Sequence, residues 1–296
     1  MTFRAGFVAL IGRPNVGKST LLNRLVGRKV SIVSPRPQTT RHRILGVLHR
    51  PDAELVFVDT PGLHRRGGRL LNKLMHRAAL AGAGDVDVIA VVIEAAGLRG
   101  GDRLPCELAR AQGKPAILVI NKMDRLKDRR ELLPLMAESA RRTDFAAIVP
   151  VSARNGEGVE ELVRVLMTQL PEAPAGFPAE AVMVRSNRFL TGELIREQLF
   201  LQLGEELPYA AAVEVTDFQE DERLLRVRAV IWVEKANHKA IVIGAGGVRL
   251  KEIGTRARLE IERQLGRRSF LELHVKQRRG WDEDLRMLKT LGYTED

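Results

Sequence analysis

Gly12-Arg13-Pro14-Asn15-Val16-Gly17-Lys18-Ser19 follows the pattern GxxxxGK[ST], a spacing whose chemistry is phosphate binding. Glycines let the backbone curl so that its N–H groups, and the N-terminus of a following helix, point at phosphate oxygens. Lys18 adds a positive charge at the β- and γ-phosphates, and the Ser19 hydroxyl can reach Mg²⁺. The nucleotide-contacting set expected here is Asn15, Val16, Gly17, Lys18, Ser19 and Thr20. Further along, Asp59-Thr60-Pro61-Gly62 ends an apolar run. It offers a carboxylate that can hold a Mg²⁺-bound water and an amide, Gly62, that can sense a γ-phosphate. Asn121-Lys122-Met123-Asp124 places a carboxylate where it can accept hydrogen bonds from guanine N1–H and the 2-amino group, a pattern adenine lacks. Sites built on such bonds discriminate by roughly 10⁴–10⁵. In Val151-Ser152-Ala153-Arg154, a backbone N–H of Ser152 or Ala153 can meet the guanine oxygen. Each string alone has a plainer reading as a tight loop, a strand end or a helix cap; four in this order point to one guanine-nucleotide site.

The elements that must position these groups alternate. Apolar runs at Phe7–Ile11, Ile44–Leu48, Glu54–Asp59, Asp87–Glu94, Ala116–Ile120 and Ala147–Val151 read as strands, and Leu70–Ala83, Arg129–Arg142 and Val159–Leu170 read as helices. That alternation predicts a doubly wound α/β domain with a mostly parallel sheet, its ligand loops at the carboxyl ends of the strands. Residues 171–178 hold three prolines, Pro171, Pro174 and Pro178, and read as an extended linker. The expected domains are therefore 1–174 and 175–296.

Beyond the linker the pattern becomes helix, two strands, two helices split near Gly244–Gly247, then a strand: an α+β domain. Gly244-Ala245-Gly246-Gly247 is a GxxG turn between helical stretches, the loop with which a KH module brings backbone amides against the phosphates of about four single-stranded nucleotides. The element order is that of a type II KH domain. No Lys or Arg stands between the glycines, so phosphate attraction falls to the backbone and to neighbours such as Lys239, Arg249 and Lys251. A packed turn joining two helices is the alternative.

Charge supports an acidic partner. The chain of 296 residues carries a formal +11, and residues 235–279 hold twelve basic against four acidic residues, a candidate electrostatic footprint. Hydrophobic residues make up 45% and charged residues 29%, which excludes collagen-like and wholly disordered classes. The single cysteine, Cys106, excludes an internal disulfide and, with scattered histidines, leaves no pattern for structural zinc; a reducing, cytoplasmic setting is expected. No apolar run reaches spanning length. Trp232 reads as core, and Trp281 as either core or RNA contact.

The four nucleotide motifs resemble those of translation-factor-like GTPases. Gln38-Thr39-Thr40-Arg41-His42-Arg43, Asp59-Thr60-Pro61-Gly62-Leu63-His64, Leu207-Pro208-Tyr209, the GxxG turn and Gly280-Trp281 together resemble the Era GTPase family over nearly all of residues 7–293. The resemblance implies a GTPase cycling between GTP and GDP, with Lys18, Thr40 and Gly62 as its catalytic groups. Thr40, with Thr39 as near alternative, is then the switch residue that joins Ser19 on Mg²⁺. It also implies a K⁺ ligand at Asn15, for which a structural role competes, and a KH domain that binds 16S ribosomal RNA near its 3′ end during assembly of the 30S subunit. Leu63 stands where Ras-like GTPases carry a water-orienting Gln, so slow intrinsic hydrolysis is expected. An RNA-binding scaffold with a structural nucleotide and a GTPase held peripherally at the inner membrane face are the competing readings.

Overall fold

The computed structural model describes residues 2–62, 69–142, 144–204 and 206–293. Leu63 and His64, and with them the water-orienting position, lie outside the described residues. Chain contacts divide it into two compact units. The first runs through Val184, so residues 175–184 go with the nucleotide motifs; the second begins at Arg185 and includes 69–74.

In the first unit the order is β1 (Arg4–Ile11), α1 (Lys18–Val26), β2 (Ile44–Arg50), β3 (Ala53–Asp59), α2 (Leu70–Gly84, of which this unit holds the part from Met75), β4 (Val88–Glu94), α3 (Arg103–Ala111), β5 (Ala116–Asn121), α4 (Leu132–Arg142), β6 (Ala147–Pro150) and α5 (Val159–Gln169). One six-stranded sheet results, in the order β2-β3-β1-β4-β5-β6. β2 is antiparallel to β3 and every other neighbouring pair is parallel. Burial explains why the central strands read as continuous apolar runs: all of Ala53–Asp59 in β3 is buried, as are the first six residues of β4. Residues 171–173 meet the start of β1, and 182–184 run along the edge strand β2. Glu54, buried in β3, accepts from Gly176 N at 2.8 Å and Phe177 N at 3.2 Å, while Val47 N donates to Val182 O at 3.0 Å.

The second unit contains α6 (Asn187–Gln202), β7 (Ala211–Glu220), β8 (Leu224–Val233), α7 (Ala236–Ile243), α8 (Val248–Leu265), β9 (Arg268–Gln277) and α9 (Leu285–Thr290). Its sheet has the order β7-β8-β9, with β7 antiparallel and β9 parallel to the central β8. Leu199, Ile231, Val233, Val242, Ile253 and Val275 form its core. Trp281 is buried, its Nε1 donating to Ala210 O at 3.2 Å, which makes it a structural residue. Among the described residues no helix is long and apolar enough to cross a membrane.

Candidate functional site

Five loops meet at the carboxyl edge of the six-stranded sheet, each delivered by a parallel strand end. The loop after β1 turns into α1 through Gly17, whose φ is +98°; a Cβ there would sit 2.5 Å from Asn121 Nδ2. Close approach and a left-handed backbone together require glycine. That same Asn121 amide donates to Val16 O at 2.8 Å, and its Oδ1 accepts from Lys122 N at 2.8 Å and Ala153 N at 3.0 Å. One buried side chain therefore ties the phosphate loop to the loops after β5 and β6. Ser152 Oγ bonds Asp124 Oδ1 at 2.7 Å, and Arg24 of α1 donates to the carbonyls of Ala153 and Arg154.

Lys18 is buried, with Nζ donating to Gly12 O at 3.0 Å and Arg13 O at 3.1 Å. Burial lowers its ammonium to about 8, against the pull of Asp59, with Arg13 adding to the drop. Beside it, Ser19 Oγ lies 2.8 Å from Thr40 Oγ1 and donates to Asp59 Oδ2 at 2.7 Å; Ser31 Oγ reaches the same oxygen at 3.1 Å. Burial raises the Asp59 carboxyl despite Lys18 and these hydroxyls. Its other oxygen, Oδ1, is buried without a hydrogen-bond partner among the described residues. Thr39 faces its own loop instead, bonding Ser34 Oγ at 2.6 Å and Arg36 O at 2.8 Å. Asn15 Nδ2 donates to Pro35 O at 3.1 Å, fastening the phosphate loop to segment 34–40.

A cavity of about 570 Å³ is lined by Asn15, Gly17, Lys18, Ser19, Thr20, Thr40, Gly62 and Lys122, among others. Val16 and Asn121 are buried behind it, and Asp124, Ser152 and Ala153 lie outside its lining.

Sequence reasoning missed Glu94 and Arg13. The Glu94 carboxylate takes Lys122 on one oxygen and Arg13 on the other, and Lys122 also reaches Asn15 O. Burial alone would raise the Glu94 carboxyl; the two cations hold it below its usual range. Ser31 was also missed, and Asn23 explains its placement: Asn23 Oδ1 accepts from both Val30 N and Ser31 N at 2.9 Å. A carboxylate ending the strand Asp87–Glu94 was the one signal available for Glu94.

In the second unit the GxxG turn joins α7 to α8. Gly246 and Gly247 have φ of +58° and +79°, and a Cβ at either would meet open space. The backbone there is therefore left-handed and faces outward. Lys239, Arg249 and Lys251 are exposed around it, Arg249 Nη1 donating to Ile241 O at 3.2 Å. Ile241 and Val248 give the turn an exposed apolar side chain on each flank.

Residues 7–122 match the family of 50S ribosome-binding GTPases, and residues 206–282 match the KH domain family. GTPase Era of Stenotrophomonas maltophilia strain R551-3 is 54% identical over 288 residues, covering 97% of each chain. The chain belongs to the Era GTPase family. GTPase Era of Xanthomonas axonopodis pv. citri is likewise 54% identical, over 98% of this chain and 97% of its own. Two solved Era structures superpose with a TM-score of 0.95 at 38% identity, covering 99% of this chain and all of theirs. One is a single-substitution variant of Aquifex aeolicus Era bound to GDP·AlF4⁻, the other Era with MgGDPNP and nucleotides 1506–1542 of 16S ribosomal RNA. As an Era family member, the chain is a GTPase with a doubly wound α/β nucleotide domain and a type II KH domain.

Proposed function

We propose that this chain is a GTP-hydrolysing switch that binds single-stranded RNA near the 3′ end of 16S ribosomal RNA and assists assembly of the 30S subunit in the cytoplasm. The observation that carries the reading is the Thr40–Ser19 contact of 2.8 Å beside Asp59, which joins segment 34–43 to the phosphate loop. A segment fastened at that point changes its anchoring when a γ-phosphate arrives or leaves.

In this reading the phosphates lie against the amides of residues 15–20 and the Lys18 ammonium. The base faces Asp124, with the backbone at Ser152 and Ala153 on its oxygen. Two hydroxyls and a buried carboxylate whose Oδ1 has no hydrogen-bond partner among the described residues suit a hard cation with oxygen ligands, so Ser19, Thr40 and, through water, Asp59 would hold Mg²⁺. Bound there, Mg²⁺ neutralises charge on the phosphate oxygens. Lys18 does the same from the other side, and the Gly62 amide, at the cavity wall, orients toward the γ-phosphate. The Asn15 amide nitrogen is engaged by Pro35 O, so a K⁺ ion would have to use its oxygen; family resemblance supports that role. Hydrolysis is slow in isolation because Leu63 has no polar atom with which to orient water.

The KH turn holds about four nucleotides of a single strand, phosphates on the turn and bases on apolar flanks such as Ile241 and Val248. The Era complex with nucleotides 1506–1542 supports the choice of RNA. Replacing Gly246 and Gly247 together by Asp tests the reading. RNA binding should be lost while GTP binding is retained, and in the unsubstituted chain log affinity should fall with log salt at about −0.7 per phosphate contacted. Full RNA affinity in the double variant would refute the assignment.

A further inference from the structure

The KH turn leaves one large surface of the second unit unused. Alternate residues of β8, Leu225, Val227, Ala229, Ile231 and Val233, are buried on the side that the helices cover. The opposite side of the sheet is open along β9 and at the Arg226–Arg228 end of β8, while Val230 and Ala212 on that side are buried. On β9 it carries Arg268, Phe270, Glu272, His274 and Lys276, and on β8 Arg226, Arg228 and Trp232, with Phe270 paired in register with Arg226.

Phe270 is 57% exposed. A phenyl ring in water on a sheet face costs free energy, and an exposed ring bounded by polar groups marks an interaction site. The neighbouring charges indicate what kind. The carboxylates on this face are already engaged: Glu272 with Arg228 at 3.0 Å and His274 at 2.8 Å, Asp217 with Arg228 at 4.0 Å, and Glu214 with Trp232 Nε1 at 2.7 Å. Lys276 sits 6.0 Å over the Trp232 ring. Arg226 and Arg268 are exposed and flank Phe270, Arg268 also feeling Glu262 of α8. The acidic turn Glu220-Asp221-Glu222 bounds the patch at the β7–β8 end. An open ring between two guanidinium groups is a stacking platform for a nucleobase with cations for its phosphates.

Resting on the RNA reading above, we propose that this open sheet face is a second RNA-binding surface, separate from the GxxG turn, on which one unpaired base stacks on Phe270 between Arg226 and Arg268. The route is short. β9 is an edge strand of the sheet, and α7 and α8, which frame the GxxG turn, pack against it. A strand leaving the turn reaches the open face by passing round that single edge.

The test uses the full chain with a GTP analogue and two RNAs: a four-nucleotide single strand and the segment 1506–1542. Phe270→Ala should weaken the long RNA about fivefold or more and leave the short one unchanged. Phe270→Tyr, which keeps a ring, should restore the long-RNA affinity. Arg226→Glu should reproduce the loss and flatten the salt dependence. Unchanged long-RNA affinity in Phe270→Ala would overturn the proposal, and would do so equally if binding to 30S particles fell, because the face would then serve a protein. Loss of both RNAs in the Gly246/Gly247 double variant keeps the KH reading intact in either case; retention of both would overturn that reading instead.

Discussion

Ser152 Oγ bonds Asp124 Oδ1 over 2.7 Å, joining the loop after β6 to the carboxylate proposed to read the base. Asp124 is exposed, so this bond limits its rotation and pre-orients the carboxylate. Ser152→Ala should therefore weaken GDP and GTP alike, by about tenfold, the value of one charge-assisted hydrogen bond. Calorimetry with both nucleotides checks this; a loss confined to GTP would contradict it.

Asp124→Asn should exchange guanine for xanthine preference, because the amide can donate to the xanthine 2-oxo group while opposing the guanine 2-amino group. Competition between GDP and XDP reads the outcome. Undiminished guanine preference would remove Asp124 from the base site.

Asn121→Ala strips partners from Val16 O, Lys122 N and Ala153 N at once. Each buried group left unpaired costs about 1–3 kcal/mol. The nucleotide unit should lose stability in urea, and nucleotide binding should fall beyond the loss in Ser152→Ala. A variant as stable as the parent would mean that the three loops are held by other contacts.

The two neighbouring threonines should behave differently. Thr40→Val removes the hydroxyl shared with Ser19 and Asp59, and should lower GTP affinity and single-turnover hydrolysis about tenfold or more while sparing GDP. Thr39→Val removes the hydroxyl that bonds Ser34 Oγ and Arg36 O, away from Ser19 and Asp59, and should spare all three. The reverse ranking would assign the switch role to Thr39.

The sheet and its loops were legible because phosphate chemistry restricts residue type: only glycine serves at position 17, and the buried parallel strands leave unbroken apolar runs. The GxxG turn was legible for the same reason. What sequence could not supply were pairings made by the fold across distance. Glu94 joins Arg13 to Lys122, and Asn23 places Ser31 on Asp59; no local pattern brings those positions together. Both orientations of β2 fit its hydrophobic pattern, and only the short turn at residues 51–52 makes it antiparallel to β3. Residues 176–177 attach to the first unit through Glu54, a carboxylate whose burial within β3 does not show in composition, and 182–184 through the backbone of β2.

Cys106 offers a check on the packing of α3. Burial, then the Asp102 and Glu107 carboxylates, push its thiol up to about 11. Because a raised pKa depletes the thiolate, alkylation at pH 8 should run roughly a hundredfold slower than for a free thiol and climb about tenfold per pH unit up to pH 10. Labelling at pH 8 as fast as that of a free thiol, levelling off above about pH 9, would show that α3 leaves the thiol open.

Affinity for the 1506–1542 RNA, measured with a GTP analogue, with GDP and without nucleotide, decides whether nucleotide state governs RNA binding. A ligand shifts a two-state protein only by its differential affinity, so a switch must give different RNA affinities in the first two conditions. Binding should be tighter with the GTP analogue than with GDP, and that difference should be lost in Thr40→Val. Equal affinity in all three conditions would contradict the switch and leave an RNA-binding scaffold with a structural nucleotide.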